Sequence, residues 1–306
     1  MPKKLISIHA FQPSAAIQVR GADALEFLQG QFTNNLRSPV GSATYGLWLN
    51  QKGKVLADSE VFRTAESEFL LTSASSPASV ITQRLEQYII ADDVVLDDQT
   101  ASFGALSLWG EGVAQFLQDL VGGVPTEGRI FEKQGVIVFG EQRTGREGFQ
   151  LIGPREGVEK LRTLFLDQGG TVATDSDAEL VRIAADIPSI PRDVGPIDLP
   201  QEAGLENTAI SFTKGCYLGQ EVMARLKSMG QVRRQLRRVR GTGTAPVHGT
   251  PLFQGPKKVG EIRSAVATSD GFVAFAMLMR TGLDENAGLS FEVPGVGQSS
   301  VSLWTK

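Results

Sequence analysis

The spacing of apolar side chains changes along this chain, and each change marks an element. Ala16-Ile17-Gln18-Val19-Arg20 reads as a strand, and Leu25, Leu28 and Phe32 then recur at helical spacing from about Asp23. Asp23 suits a first helical turn, where free backbone N–H groups favour a negative charge. Residues 45–49 and 54–63 read as a hairpin around Asn50-Gln51-Lys52-Gly53, with Gly53 giving the turn the backbone freedom it requires. A helix over 78–88 and a strand ending near Leu96 follow.

A strand at 103–109 leads into a helix with Val113, Phe116, Leu117, Leu120 and Val121 on one face, stopped by Gly122-Gly123. Two strands, 135–140 and 148–153, joined by a turn at Gly145, precede a helix at 155–168 that carries Val158, Leu161 and Phe165. With Thr171-Val172-Ala173 as a last strand, this is the split β-α-β order of a ferredoxin-like lobe at about 100–175. Asp175 begins a further helix to Ala185, ended by Pro188. Residues 188–213, rich in Pro, Gly and Asp, form a long irregular connection, which is uncommon unless functional. From Gln231 onward, short strands and frequent Gly predict an all-β, barrel-like domain over 235–306, behind a larger unit over 1–234. The fold class is α+β.

Composition narrows the function classes. The 306 residues are 41% apolar and 21% charged, as in an ordinary globular protein. A net charge of −4 argues against a protein whose main task is to coat nucleic acid, because phosphate neutralisation needs a basic face. One cysteine makes no internal disulfide, and the distant His9 and His248 give no zinc-ligand spacing, so no metal site is expected. No apolar run reaches the length of a membrane span, and the basic N-terminus lacks a signal peptide's apolar stretch. A cytoplasmic location is expected.

The chemistry concentrates around that cysteine. Cys216 sits between glycines, beside Lys214, just before a helix beginning near Gly219 with Val222, Leu226 and Met229 as its buried stripe. A helix N-terminus and a nearby ammonium both favour a thiolate, the condition for reactivity. A small buried hydrophobe is the competing account of a lone cysteine.

Lys214-Gly215-Cys216-Tyr217-Leu218-Gly219-Gln220-Glu221, followed by Ala224-Arg225, resembles the K-x-C-Y-x-G-Q-E signature of the YgfZ family, relatives of the glycine-cleavage aminomethyltransferases. Phe27-Leu28-Gln29-Gly30-Gln31-Phe32-Thr33-Asn34 resembles that family's N-terminal helix, and residues 49–58 resemble its hairpin. Gly145-Arg146-Glu147-Gly148-Phe149 and Leu199-Pro200-Gln201-Glu202-Ala203 extend the likeness from about residue 20 to about 235. The resemblance implies an aminomethyltransferase-like folate-binding fold of three lobes around a central hole, with the cysteine motif lining it. It implies tetrahydrofolate or a derivative as cofactor, and a role in making or repairing iron–sulfur proteins, including those that modify tRNA. Folate and iron–sulfur proteins or their assembly machinery are then the expected partners.

On that basis the candidate catalytic residues are Cys216 and Lys214, and the candidate folate ligands are Asn50, Gln51, Lys52, Asp58, Tyr217, Gln220, Glu221 and Arg225. Each has a plainer account. Asn50, Gln51 and Lys52 serve equally as turn residues, Asp58 as a solvated strand carboxylate, and Gln220 and Glu221 as a helix first turn. Arg225 pairs with Glu221 at i, i+4. The basic run 233–240 puts charge on both faces of a strand and is expected to be solvated. The alternative is an anion site for RNA phosphates or a folate tail, through Arg233, Arg234, Arg237 and Arg238.

The sequence departs from the aminomethyltransferases in two places. Paired aspartates after their hairpin glycine become Ala57-Asp58, and Ala184 stands where they carry a pterin-binding glutamate. Loss of a charged hydrogen-bond pair costs affinity, about 1.5–3 kcal/mol. Three functions follow as expectations: a folate-binding accessory factor for iron–sulfur assembly acting through Cys216, an aminomethyltransferase proper, or a docking module for RNA or protein.

Overall fold

Two sheets in the first part of the chain are apolar on both faces, and the structure, a computed structural model describing residues 6–141, 148–285, 287–293 and 297–304, covers all four faces. The five-stranded sheet runs Ser42–Leu49, Val55–Ala65, Glu68–Ser73, Ala15–Arg20, Val95–Asp98. Helices Ala24–Gln31 and Ala78–Glu86 close its outer face through Phe27, Leu28, Ile81 and Leu85. The six-stranded sheet runs Thr171–Val172, Ser7–Phe11, Phe103–Trp109, Gly148–Pro154, Val136–Glu141, Ile130–Lys133, and helices Val113–Val121 and Arg155–Asp167 cover its outer face. The inner faces meet each other. Phe62 and Leu70 pack on Phe139 and Ile152, with the Phe62 and Phe139 rings edge to face at 4.8 Å.

The ferredoxin-like reading of residues 100–175 needs one correction. In that pattern Thr171–Val172 would pair with Phe103–Trp109. Instead Ser7–Phe11 lies between them, parallel to the first and antiparallel to the second. Ser7-Ile8-His9-Ala10 does alternate polar and apolar, but five residues are too short a run to show that this strand joins the lobe. Strand Glu68–Ser73 was likewise not anticipated. The turn at Gly145 falls outside the described residues.

The helix Asp175–Ala184 is capped by Thr174 and Asp177, which bond each other's backbone N–H groups. The connection at 188–213 is irregular as expected, with two short 3-10 turns, Pro200–Ala203 and Leu205–Asn207. The C-terminal strands close into a six-stranded barrel in the order Arg234–Gly241, Gly271–Met279, Lys257–Thr268, Pro251–Gln254, Leu289–Val293, Gly297–Leu303. Val239, Leu252, Ile262, Phe272 and Phe291 fill it, and closure leaves no free sheet edge. Among the described residues no helix is long and apolar enough to cross a membrane.

Buried charge joins the barrel to the irregular connection, and this corrects the reading of the basic strand as solvated. Asp198, fully buried, accepts from Arg234 at 2.9 Å and Arg263 at 3.2 Å, while Glu202 accepts from Arg234 Nε at 3.0 Å. Arg238 is buried too, donating to Ala184 O and lying 4.9 Å from the Trp304 ring. Arg237 pairs with Glu285 at 2.8 Å. The strand tolerates guanidinium on both faces because the neighbouring segments supply the carboxylates.

Removing Asp198 would strand Arg263 inside the protein with only the partly exposed Glu261 beside it. We expect Asp198→Ala to cost about 3 kcal/mol, read as a lower midpoint in urea unfolding. A midpoint within error of wild type would show that the cluster does not hold the barrel in place.

Candidate functional site

Three segments far apart in sequence converge on the turn that ends the first helix. Thr33, fully buried, donates its hydroxyl to Ala209 O at 2.7 Å and accepts from Leu47 N at 2.8 Å. Asn34 Nδ2 donates to Tyr45 O and Thr208 O, and Ser211 N donates to Thr33 O. Leu218 N reaches Gly30 O at 3.1 Å. The cysteine segment is thereby laid across the N-terminal helix. On its other side the helix Gln220–Met229 meets the hairpin turn at Gly53, whose φ is +70° and where an added Cβ would lie 2.7 Å from Met223 Cε. Among the described side chains of that helix Met223 is the most buried, with Val222 and Leu226 half-buried; the expected Met229 side chain lies outside the described ones.

Lys214 is part of this clamp. Its Nζ donates to Phe32 O at 2.7 Å and Asn34 O at 2.8 Å and lies 5.4 Å from the Tyr217 ring centre. Burial, with the Arg37 charge adding to it, lowers its pKa to about 7. The amine is therefore directed at two backbone carbonyls just beyond the first helix, a contact that holds the cysteine segment against it. Cys216 is exposed, and its loop precedes the helix N-terminus at Gln220. Tyr217 is buried, its hydroxyl without a hydrogen-bond partner among the described residues and pushed up to about 12 by desolvation.

Other expected site residues behave as local structure. Asn50 Oδ1 accepts from Lys52 N and Lys54 N, shaping the hairpin turn from which Gln51 and Lys52 project into solvent. Glu221 and Arg225 form an exposed i, i+4 pair at 2.9 Å, and Gln220 opens the same helix.

Asp58 lies elsewhere, in a cavity of about 960 Å³ bounded by both sheets and by the irregular connection. None of Cys216, Lys214, Asn50, Gln51, Lys52, Tyr217, Gln220, Glu221 or Arg225 is among the described residues that line it, so the cysteine motif is not part of the wall described. Asp58 accepts hydroxyls from Ser73 at 2.7 Å, Ser76 at 2.6 Å and Tyr45 at 3.2 Å. Tyr45 faces Glu60 across the hairpin, which sets it diagonal to Asp58. Phe11, Phe139, Phe149 and the Gln150 amide add aromatic and hydrogen-bonding surface. Sequence reasoning passed over Tyr45, Gln150 and the serines. The run Ser73-Ala74-Ser75-Ser76, small and polar directly after a strand, was the available signal.

The family described as the GCVT N-terminal domain matches residues 7–214. The chain belongs to that family. Among its relatives, the iron-sulfur cluster assembly factor IBA57, mitochondrial, of Homo sapiens is 30% identical over 86% of this chain and 74% of its own length. The tRNA-modifying protein YgfZ of Yersinia enterocolitica is 27% identical over 89% of this chain and 83% of its own. An aminomethyltransferase of Lysinibacillus sphaericus is 26% identical over 80% and 70%. The crystal structure of the glycine cleavage system aminomethyltransferase T from Bartonella henselae superimposes with a TM-score of 0.83 at 20% identity, over 99% of this chain and 86% of that one. This GCVT-type chain therefore has the aminomethyltransferase fold, as the cysteine and hairpin motifs implied.

The clamp can be tested through Lys214. Because the fold disfavours its charge, the folded chain binds fewer protons than the unfolded one between pH 7 and the ordinary 10.5. The stability this residue contributes rises with pH through that window. Lys214→Met should flatten the rise in urea-unfolding free energy between about pH 7 and about pH 10. A variant that retains the wild-type slope would remove Lys214 as its source.

Proposed function

We propose that this protein is a folate-binding accessory factor for iron–sulfur protein assembly or repair, indirectly supporting tRNA modification, that works through Cys216. One observation carries the reading: a roomy, aromatic-walled cavity presents an anchored carboxylate, while the chain's lone thiol is held outside it in solvent. A cavity of this size suits a drug-sized heterocycle. The partly exposed Phe11, Tyr45 and Phe149 offer aromatic surface for a flat pterin, and Asp58 and Gln150 offer acceptors and donors for its edge. The names of the IBA57 and YgfZ relatives supply the biological direction.

The separation of the two places changes the chemistry expected of Cys216. A thiol outside the cavity does not attack a carbon unit carried by folate within it. It is presented instead to a macromolecule, where a thiolate can ligate the iron of a client's cluster. Lys214 is then a positioning residue for the cysteine loop, and Tyr217 is that loop's buried anchor. Tetrahydrofolate is the cofactor and a client iron–sulfur protein is the partner, in the cytoplasm. Of the four arginines offered to RNA, Arg234, Arg237 and Arg238 already pair within the chain, which leaves the exposed Arg233.

Titration with tetrahydrofolate is expected to change intrinsic fluorescence, and Cys216→Ser is expected to bind folate as wild type while failing to complement an iron–sulfur maturation defect. Full rescue by Cys216→Ser would take the thiol out of the function. Absence of any folate signal at saturating ligand would take folate out of it. Transfer of an aminomethyl group from a glycine-cleavage carrier protein would replace this reading with the transferase one.

A further inference from the structure

Asp186 is held in a conformation that local physics opposes twice. The helix Asp175–Ala184 ends with Asp186 N donating to Ile183 O and Ile187 N donating to Arg182 O, each at 3.1 Å. This is the double bond pattern that places a left-handed residue just beyond a helix, normally a glycine. Asp186 has φ of +65°, which a side chain disfavours. Its carboxylate also stands at the helix C-terminus, where the backbone dipole repels negative charge. Glycine would remove both penalties.

The surroundings fix the residue there. Arg182, fully buried, binds Glu179, Asp193, Ser264 Oγ and Ile187 O, so the segment beyond the helix cannot swing away. Arg238 Nε lies 3.5 Å from Asp186 Oδ1, close enough to offset the charge and too far to satisfy the oxygen. The side chain remains 55% exposed, and Asp186 lines the same cavity as Asp58. The two carboxylates differ in availability. Asp58 already accepts from Tyr45, Ser73 and Ser76, whereas Asp186 accepts no hydrogen bond from the described residues.

We infer that Asp186 is a ligand-recognition residue of the cavity, accepting paired donors from a planar heterocycle that carries an amino group next to a ring N–H. The inference rests on the folate reading and sharpens it, because the aminopyrimidine edge of a pterin has that donor pair. Strain at a site that glycine would relieve is a recognised mark of a functional residue. Asp186 would do from the end of the helix what no side chain at Ala184 can do from its face.

Fluorescence titration of wild type, Asp186→Asn and Asp186→Gly with tetrahydrofolate tests this, together with tetrahydropterin carrying or lacking its exocyclic amino group. Both variants keep a residue that tolerates the left-handed backbone. Both should weaken tetrahydrofolate binding about 10-fold or more, as expected for a lost charged hydrogen-bond pair. Wild type should prefer the amino-bearing tetrahydropterin by about 10-fold, and Asp186→Asn by less than about twofold. Asp186→Gly should unfold at the wild-type temperature or about 2 °C above it. Binding by Asp186→Asn within about twofold of wild type overturns the inference and spares the folate reading, as does a fall of more than about 5 °C in Asp186→Gly, which would make the carboxylate structural. A wild type that binds none of these probes overturns both.

Discussion

The structure depends on one short stretch of backbone, Phe32 to Asn34, being held by a segment that follows it far along the chain. A buried threonine hydroxyl bridges Ala209 and Leu47, and a lysine ammonium caps the carbonyls of Phe32 and Asn34. Both carbonyls lie at or just beyond the C-cap of the helix Ala24–Gln31, where the chain turns extended, and the lysine gives each a donor. The ammonium loses hydration in doing so, which is why its charge is easily lost. The clamp orders the cysteine loop, seats the following helix on the hairpin turn, and sets one wall of the molecule against another.

Much of this was legible in the sequence because it is local. The first helix, the hairpin with its Gly53 turn, the Gly122 stop and the helix after the cysteine all follow from spacing and turn chemistry. Motif likeness gave the aminomethyltransferase fold. What stayed hidden depends on contacts between distant residues. The short alternation at Ser7–Phe11 does not reveal its pairing, which is with two neighbours distant in sequence. The arginines at 234 and 238 looked too charged to bury until Asp198, Glu202 and Ala184 O were brought beside them.

Sequence supplied the candidate residues without their arrangement. Asp58 lines the cavity, whereas Cys216 is exposed and is not among the described residues of its wall. A motif shows which residues a family keeps near one another in sequence and is silent on which side of a sheet each one emerges. The hydroxyls on Asp58 and the left-handed aspartate at the cavity are features of three-dimensional packing, and only the clustering of serines at 73–76 hinted at them.

The placement of Ser7–Phe11 inside the six-stranded sheet has a consequence for biosynthesis. This strand leaves the ribosome well before both of its neighbours, Phe103–Trp109 and Thr171–Val172. Until they arrive, its backbone donors and acceptors face water or chance partners, and pairings of such long sequence separation form slowly. The lobe thus remains unfinished on the nascent chain while the five-stranded sheet can already assemble. The two ends of one lobe come to bracket the whole of the other in the order of folding.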